Sequence, residues 1–292
     1  MCFKKCLLIA LLSCLIASCS LVKTGYNNAP SLVIWWLDDY FNFTQAQNLA
    51  LKTSLQNLHH WHRQNQLTSY LTQLQQIQSS VGNEQISAKE VCEMLDSIKQ
   101  SLHTLQIESI PIVIEAAPLL SDKQMQRFKA KLAERAEKWK KEWWADSKED
   151  QLKVRLEKTE DFAERMYGGL NDAQLKLLKQ RLELANINPA ISHQEILRRN
   201  DDALTILTVL QNQSLTNDEK AQLVKAGFHR LQNSPNQDYQ SYADTMTNYS
   251  CETMANLHVS TNAQQKLHAK NWLQDYINII KNLQINSSEK QN

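Results

Sequence analysis

At six places spaced like helix starts along the chain, a Ser, Thr or Asn is followed three residues later by Gln or Glu. The instances are Thr44–Gln47, Ser87–Glu90, Ser121–Gln124, Asn171–Gln174, Thr216–Glu219 and Thr261–Gln264. In a capping box the first side chain accepts from the backbone N–H three residues on, and the second reaches back to the first N–H, so each pair fixes a helix start. Phe43, Ile86, Leu120, Leu170 and Leu215 sit just before five of these caps, where a hydrophobic staple belongs. One such tetrapeptide is weak evidence. Six at element-like spacing leave little room for any fold class but all-α. The breakers agree: Gly82, Pro111, Pro118, Gly168-Gly169, Pro189, Gly227 and Pro235 fall between these caps.

The chain holds five Gly and five Pro among 292 residues and is rich in Leu, Gln, Ala, Lys and Glu, a composition that favours helix throughout. The expected helices are a short apolar one at 31–41, then 44–80, 87–108, 111–118, 121–167, 171–186, 191–212, 216–232, 237–258 and 261–284. The expected fold is an elongated multi-helix bundle of about nine helices with one or two very long ones. It forms a single helical domain over 31–285, followed by a frayed polar tail at 286–292. The spacings between caps are unequal, so no fixed-period repeat is read. Half of residues 121–168 are charged. Met125, Phe128, Leu132, Ala136, Trp139 and Trp143 trace a narrow apolar stripe through them. The stripe falters near Asp146–Asp150, so one continuous helix and two helices are both open there.

The amino terminus carries Lys4 and Lys5, an apolar run from Cys6 to Ala17, and the stretch Leu15-Ile16-Ala17-Ser18-Cys19. A basic start, a short apolar middle and small residues at the end are the plan of a secretory signal peptide. The run is well short of the roughly 20 residues a bilayer span needs. A cut before Cys14 would put Leu12 where a smaller residue is usual. The stretch ending in Cys19 resembles a bacterial lipobox. The resemblance implies cleavage before Cys19, leaving residues 1–18 as leader, and lipid on Cys19 with 19–30 as tether. Ser20, not Asp, follows the cysteine; in known lipoproteins that favours the outer membrane.

With the leader gone, Cys92 and Cys251 are the two unassigned cysteines. An even number in an oxidising compartment predicts a disulfide between them. Loss of Lys4 and Lys5 leaves 30 basic against 31 acidic residues, which gives no electrostatic case for nucleic acid.

The candidate sites are few. His59, His60 and His62 cluster in Leu58-His59-His60-Trp61-His62-Arg63. His59 and His62 share a helix face at i,i+3 and are the candidate metal ligands; no HExxH and no nearby third acidic ligand accompany them, and no cofactor is expected. Trp139, Trp143 and Trp144 alternate with lysines; the favoured reading packs Trp139 and Trp143 inward while the lysines snorkel. Leu32-Val33-Ile34-Trp35-Trp36-Leu37-Asp38-Asp39-Tyr40-Phe41 lies about a dozen residues beyond Cys19. Core packing is preferred there over an interfacial helix, because Asp38 and Asp39 argue against lying on anionic lipid. GxSxG, P-loop and dinucleotide fingerprints are absent from the sequence.

Gly25-Tyr26-Asn27-Asn28-Ala29, Trp36-Leu37-Asp38-Asp39-Tyr40-Phe41, Thr44-Gln45-Ala46-Gln47 and Leu58-His59-His60-Trp61-His62-Arg63 open a longer pattern. Glu164-Arg165-Met166-Tyr167-Gly168, Arg198-Arg199-Asn200-Asp201 and Cys251 with Leu257-His258 continue it. Together they resemble an uncharacterised family of proteobacterial lipoproteins, known only as a domain of unknown function, and bring no activity with them. The Leu-Ser/Thr-x-x-Gln starts are also locally similar to small periplasmic stress chaperones of the LTxxQ type, in which a thin helical cradle binds unfolded clients. The expected role is that of a non-enzymatic lipoprotein anchored through Cys19 to the outer membrane and facing the periplasm. It would serve as scaffold, adaptor or chaperone-like binder for an envelope protein. The alternative is an envelope enzyme with a metal or acid/base centre at His59 and His62.

Overall fold

The computed structural model describes residues 21–145 and 147–288. Residues 1–20, among them the expected leader and Cys19, together with Asp146 and the last four residues, lie outside the described part. Residues 21–27 are helical. They are followed by α1 (Ala29–Phe41), α2 (Gln45–Asn65), α3 (Leu67–Val81) and α4 (Ala88–Ala116). A 3-10 turn (Ala117–Leu119) precedes α5 (Asp122–Trp143) and α6 (Lys148–Tyr167). Then come α7 (Asp172–Leu184), α8 (Pro189–Leu210), α9 (Asn217–Gln232), α10 (Gln237–Val259) and α11 (Ala263–Ser288). The fold is all-α, and no strand occurs among the described residues. The helix count is slightly above the nine expected, for identifiable reasons.

Five of the six capping boxes form as read, at Thr44, Ser87, Ser121, Asn171 and Thr216. The sixth is one residue further on. The backbone N–H of Asn262 donates to Gln265 Oε1 at 3.0 Å, and that of Gln265 to Asn262 Oδ1 at 2.9 Å. The Thr261 hydroxyl instead donates to the His258 carbonyl at 2.6 Å, closing α10 behind it. Asn caps as well as Thr, so local sequence alone does not separate the two registers.

Two expected helices are divided differently in the structure, and one open alternative is resolved. The expected helix 44–80 breaks at Gln66 (φ −107°, ψ −31°), where Leu67 turns into a cluster with Ile279 and Leu283 of α11. No Gly or Pro marks that break; tertiary burial makes it. Conversely, Pro111 does not separate two helices but sits inside α4. Proline there removes one backbone hydrogen bond, a cost of about 3 kcal/mol. Burial of Ile110 and Ala117 against Leu210 and Val224 offsets it. The charged stretch 121–167 resolves into two helices, with Ser147 capping α6 by accepting from the Asp150 N–H at 3.0 Å.

The core is divided. One cluster gathers Val81, Tyr167, Leu178, Leu257 and Leu273; a second, Tyr40, Phe41, Leu120 and Phe128; a third, Ile110, Leu210 and Val224; a fourth, Leu67, Ile279 and Leu283. Such thin clusters fit an elongated bundle better than a single round core.

A two-unit correspondence runs through this arrangement. The boxes fall as two sets of three, at 44, 87 and 121 and at 171, 216 and 262, and in each set the middle box uses Glu while the outer two use Gln. The outer glutamines pair. Gln47 Nε2 donates to Gln124 Oε1 at 3.1 Å, and Gln124 Nε2 to Gln47 Oε1 at 2.8 Å. Gln174 and Gln265 exchange the same two bonds at 2.9 Å. Each amide also donates to the carbonyl two residues ahead of its partner's cap: Leu119, Asn42, Ser260 and Gly169 respectively. A unit of α1–α5 thus corresponds to a unit of α6–α11. In both, the helix before the first box packs on the last helix, α1 on α5 and α6 on α11. The last helices are also exchanged: α5 lies along α8 of the second unit, and α11 along α3 of the first. At the centre α4 packs on α9 and α10. There Cys92 and Cys251 meet with an S–S distance of 2.05 Å and Cα atoms 5.5 Å apart.

Candidate functional site

The histidine cluster lies where the amino-terminal segment meets the body. Its ring neighbours are tyrosines, not acids. His62 Nδ1 is 3.0 Å from the Tyr26 hydroxyl, and its Nε2 is 3.1 Å from the Tyr70 hydroxyl. The bend at Gln66 is what lets Tyr70, eight residues on, reach back. A neutral imidazole donates from one nitrogen and accepts at the other, so the two hydroxyls satisfy both. Burial, with His59 beside it, holds His62 below the ordinary histidine value. Burial, and then Arg63, lower His59 too. The His59 ring packs on Tyr26 with centroids 4.7 Å apart.

Arg63 completes the site. Its guanidinium lies 5.1 Å from the centre of the Tyr26 ring and hydrogen-bonds Asn27 Oδ1 at 2.5 Å. Burial pushes the Tyr26 hydroxyl up to about 12 against the opposing pull of Arg63. A metal at His62 would have to displace a tyrosine hydroxyl. No group of three or more His, Cys, Asp or Glu side chains among the described residues is placed to hold a metal ion. What the geometry does is mechanical: Tyr26, held by His59, His62 and Arg63, pins the segment next to Cys19 onto α2 and α3. The Leu-His-His-Trp-His-Arg run was readable in the sequence; its tyrosine partners, one of them 36 residues away, were not.

The other marked residues are structural in their contacts. Glu195 is 2 % exposed. Burial works to raise its carboxyl, but hydrogen bonds from Arg198, Ser234 and Arg199 outweigh it and bring the carboxyl below its ordinary value. Arg198 and Arg199 each donate to Glu195 Oε1 at 2.8 Å. Asp202 binds Arg230 at 2.6 Å. Four charged residues of α8 thereby tie it to Arg230 of α9 and to the loop at Ser234. Trp139 packs half-buried over His193, and Trp144 meets that ring edge-on with Lys140 above it. An open cleft of ≈1080 Å³ runs beside them, lined by Trp144, Lys148, Arg155, Glu183 and Asn188 among others. Among the described residues that line it there is no Ser, Thr, Cys or His.

Two apolar faces lie open. On α4, Leu95, Ile98 and Leu102 are exposed at i, i+3 and i+7, one stripe of the helix. On α1 the core-packing expectation holds for only one side. Tyr40 and Phe41 are buried, and Leu37 packs against them. Leu32, Trp35 and Trp36 are exposed, Trp35 to 75 %. The buried glutamine pairs and the α4 stripe escaped the sequence reading, although Gln versus Glu at the third helical position was a usable signal for the first. No helix among the described residues is long and apolar enough to cross a membrane.

A family model described only as a family of unknown function, DUF6279, matches residues 39–240. No curated protein and no solved structure matches the chain.

Proposed function

The chain belongs to the DUF6279 family, which lends it no activity, and from its own geometry we propose a lipid-anchored helical scaffold. In this reading the lipid on Cys19 holds it at the outer membrane, facing the periplasm, and an envelope protein docks along its helical surface without chemistry. The observation that carries the reading is the row Leu95, Ile98 and Leu102. A solvent-exposed apolar stripe on a long helix is the form a helix or strand partner recognises. The disulfide joining α4 to α10 would keep that row rigid. The rival reading, an envelope enzyme built on His59 and His62, needs an acid beside the imidazoles, and tyrosines stand there instead.

A photo-crosslinking residue at Leu102, in cells, tests the scaffold. We expect a discrete adduct at Leu102 that Ile98→Glu abolishes, and none from exposed Lys129 on α5. A single adduct marks a scaffold or adaptor. A ladder of unrelated adducts that grows on heat shock marks a chaperone-like binder. Equal labelling at both positions, or none, removes the proposal.

A further inference from the structure

We propose that the exposed face shared by residues 21–27 and α1 rests in the interfacial layer of the phospholipid bilayer, so that the body stands on the membrane along this face instead of hanging from a free tether. The inference rests on reading Cys19 as the lipidated residue, and goes beyond it. Only Ser20 separates Cys19 from Leu21, so the chain has almost no slack between the acyl chains and the first described turn. That turn is itself fixed to the body through Tyr26, Arg63 and the two histidines. The Asn28 N–H bonds the Thr24 carbonyl at 3.1 Å, and the Leu32 N–H bonds the Asn28 carbonyl at 3.1 Å. The helical ladder therefore carries across the short irregularity between the two pieces.

On that near-continuous helix Leu32, Trp35 and Trp36 follow Leu21 by 11, 14 and 15 residues. These are close to three and four turns at 3.6 residues each, so all four share a face. All are exposed, with Val22 and Val33 on the flank. The opposite side of α1 is spent on the core through Leu37, Tyr40 and Phe41. Tryptophan favours the headgroup boundary, where its apolar ring and its N–H are both satisfied. At the far end of the face Asp39 is not a bare charge: Lys131 pairs with it at 3.2 Å and Arg127 approaches it, while Arg135 covers the Tyr40 ring. Lys131 also pairs with Glu134 at 3.1 Å, so Arg135, over the Tyr40 ring, is the α5 cation beside the patch that suits anionic headgroups. A lipid surface, already within two residues, fits this face better than any soluble partner.

The test uses lipidated full-length mature protein isolated from envelopes and reconstituted into phosphatidylethanolamine–phosphatidylglycerol vesicles with dibrominated acyl chains. Bromine quenches only tryptophans at the membrane. We expect loss of about a quarter of the emission, the share carried by two of seven tryptophans. The Trp35→Phe/Trp36→Phe form should show none. Leu32→Glu should reduce the quenching at least threefold while the protein stays vesicle-bound through its lipid. An unquenched wild type overturns the inference, and a protein adduct from a crosslinker at Trp35 would then identify the face as a protein interface. The lipidation reading fails separately: an amino-terminal peptide without diacylglycerol mass refutes Cys19 as the anchor. Vesicle-induced quenching of that same protein would still uphold the docking face.

Discussion

Truncating Gln265 to alanine removes four hydrogen bonds at once. Its Nε2 donates to the Gly169 carbonyl at 2.7 Å and to Gln174 Oε1 at 2.9 Å. Its Oε1 accepts from Gln174 Nε2 at 2.9 Å and from the Asn262 N–H at 3.0 Å. A neutral hydrogen bond contributes about 1 kcal/mol net, and an abandoned buried partner costs more. Asn262 is exposed, so water replaces its bond. Gln174 is 1 % exposed, and water does not reach it. The expected loss is therefore about 3–4 kcal/mol. Glu219→Ala is the internal comparison. Its carboxylate makes the same cap to Thr216 but lies exposed with no partner box, and should cost about 0.5–1 kcal/mol. Two bonds are common to Gln174 and Gln265, so the double-mutant cycle Gln174→Ala/Gln265→Ala should return a coupling of about 2 kcal/mol. Urea unfolding followed by circular dichroism measures all five proteins, the wild type included. If Gln265→Ala costs no more than Glu219→Ala, or the cycle closes with no coupling, the paired glutamines are ordinary caps and the two-unit description loses its physical basis.

Cys92→Ser should lower stability by up to about 5 kcal/mol, because the bridge spans 159 residues and the chain-entropy model scales with that loop; an unchanged urea midpoint in the non-reduced pair would contradict it. Stability should fall on acidification below pH 6.5. His59, His62 and His258 all have values lowered by burial in the folded state. The unfolded chain therefore takes up more protons as pH drops through 6.5 towards the folded values, and stability is full only above that window. Glu195 titrates below it and does not contribute there. His258→Gln should flatten the slope, and a wild type equally stable at pH 7.5 and 5.5 would refute the assignment. Gly168→Ala should cost about 2–3 kcal/mol in thermal or urea unfolding, since φ is +79° and a Cβ would lie 2.7 Å from the His268 ring. Gly169→Ala, with φ +113° but open space, should cost less; the reverse order would show that the ring yields freely.

Local chemistry carried most of the fold. Thr44, Ser87, Ser121, Asn171 and Thr216 each announce a helix because a cap and its partner lie within four residues. The signal fails where two caps adjoin, as at Thr261 and Asn262. It also fails where distant burial decides, as at Gln66, or where packing outweighs a proline, as at Pro111. The exchange of helices between units was not legible, because Gln or Glu at the third helical position distinguishes the boxes but does not say which helices cross between units. The histidines stood out in the sequence, yet what they do depends on Tyr26 and Tyr70. The indoles of Trp35 and Trp36 were visible too, but their exposure follows from which side of α1 the Tyr40–Phe41–Phe128 cluster claims.

The exchanged last helices set a schedule for the nascent chain. Gln284 of α11 bonds Thr68 of α3 across 216 residues, and Gln274 bonds Gln78 across 196. Everything through α10 must be synthesised before the first unit receives its closing wall. Contacts this far apart in sequence form slowly and late. In the interval Leu67 waits without Ile279 and Leu283. A chain interrupted before residue 263 would stay unfinished in its first half as well as its second, and be open to proteases at both ends.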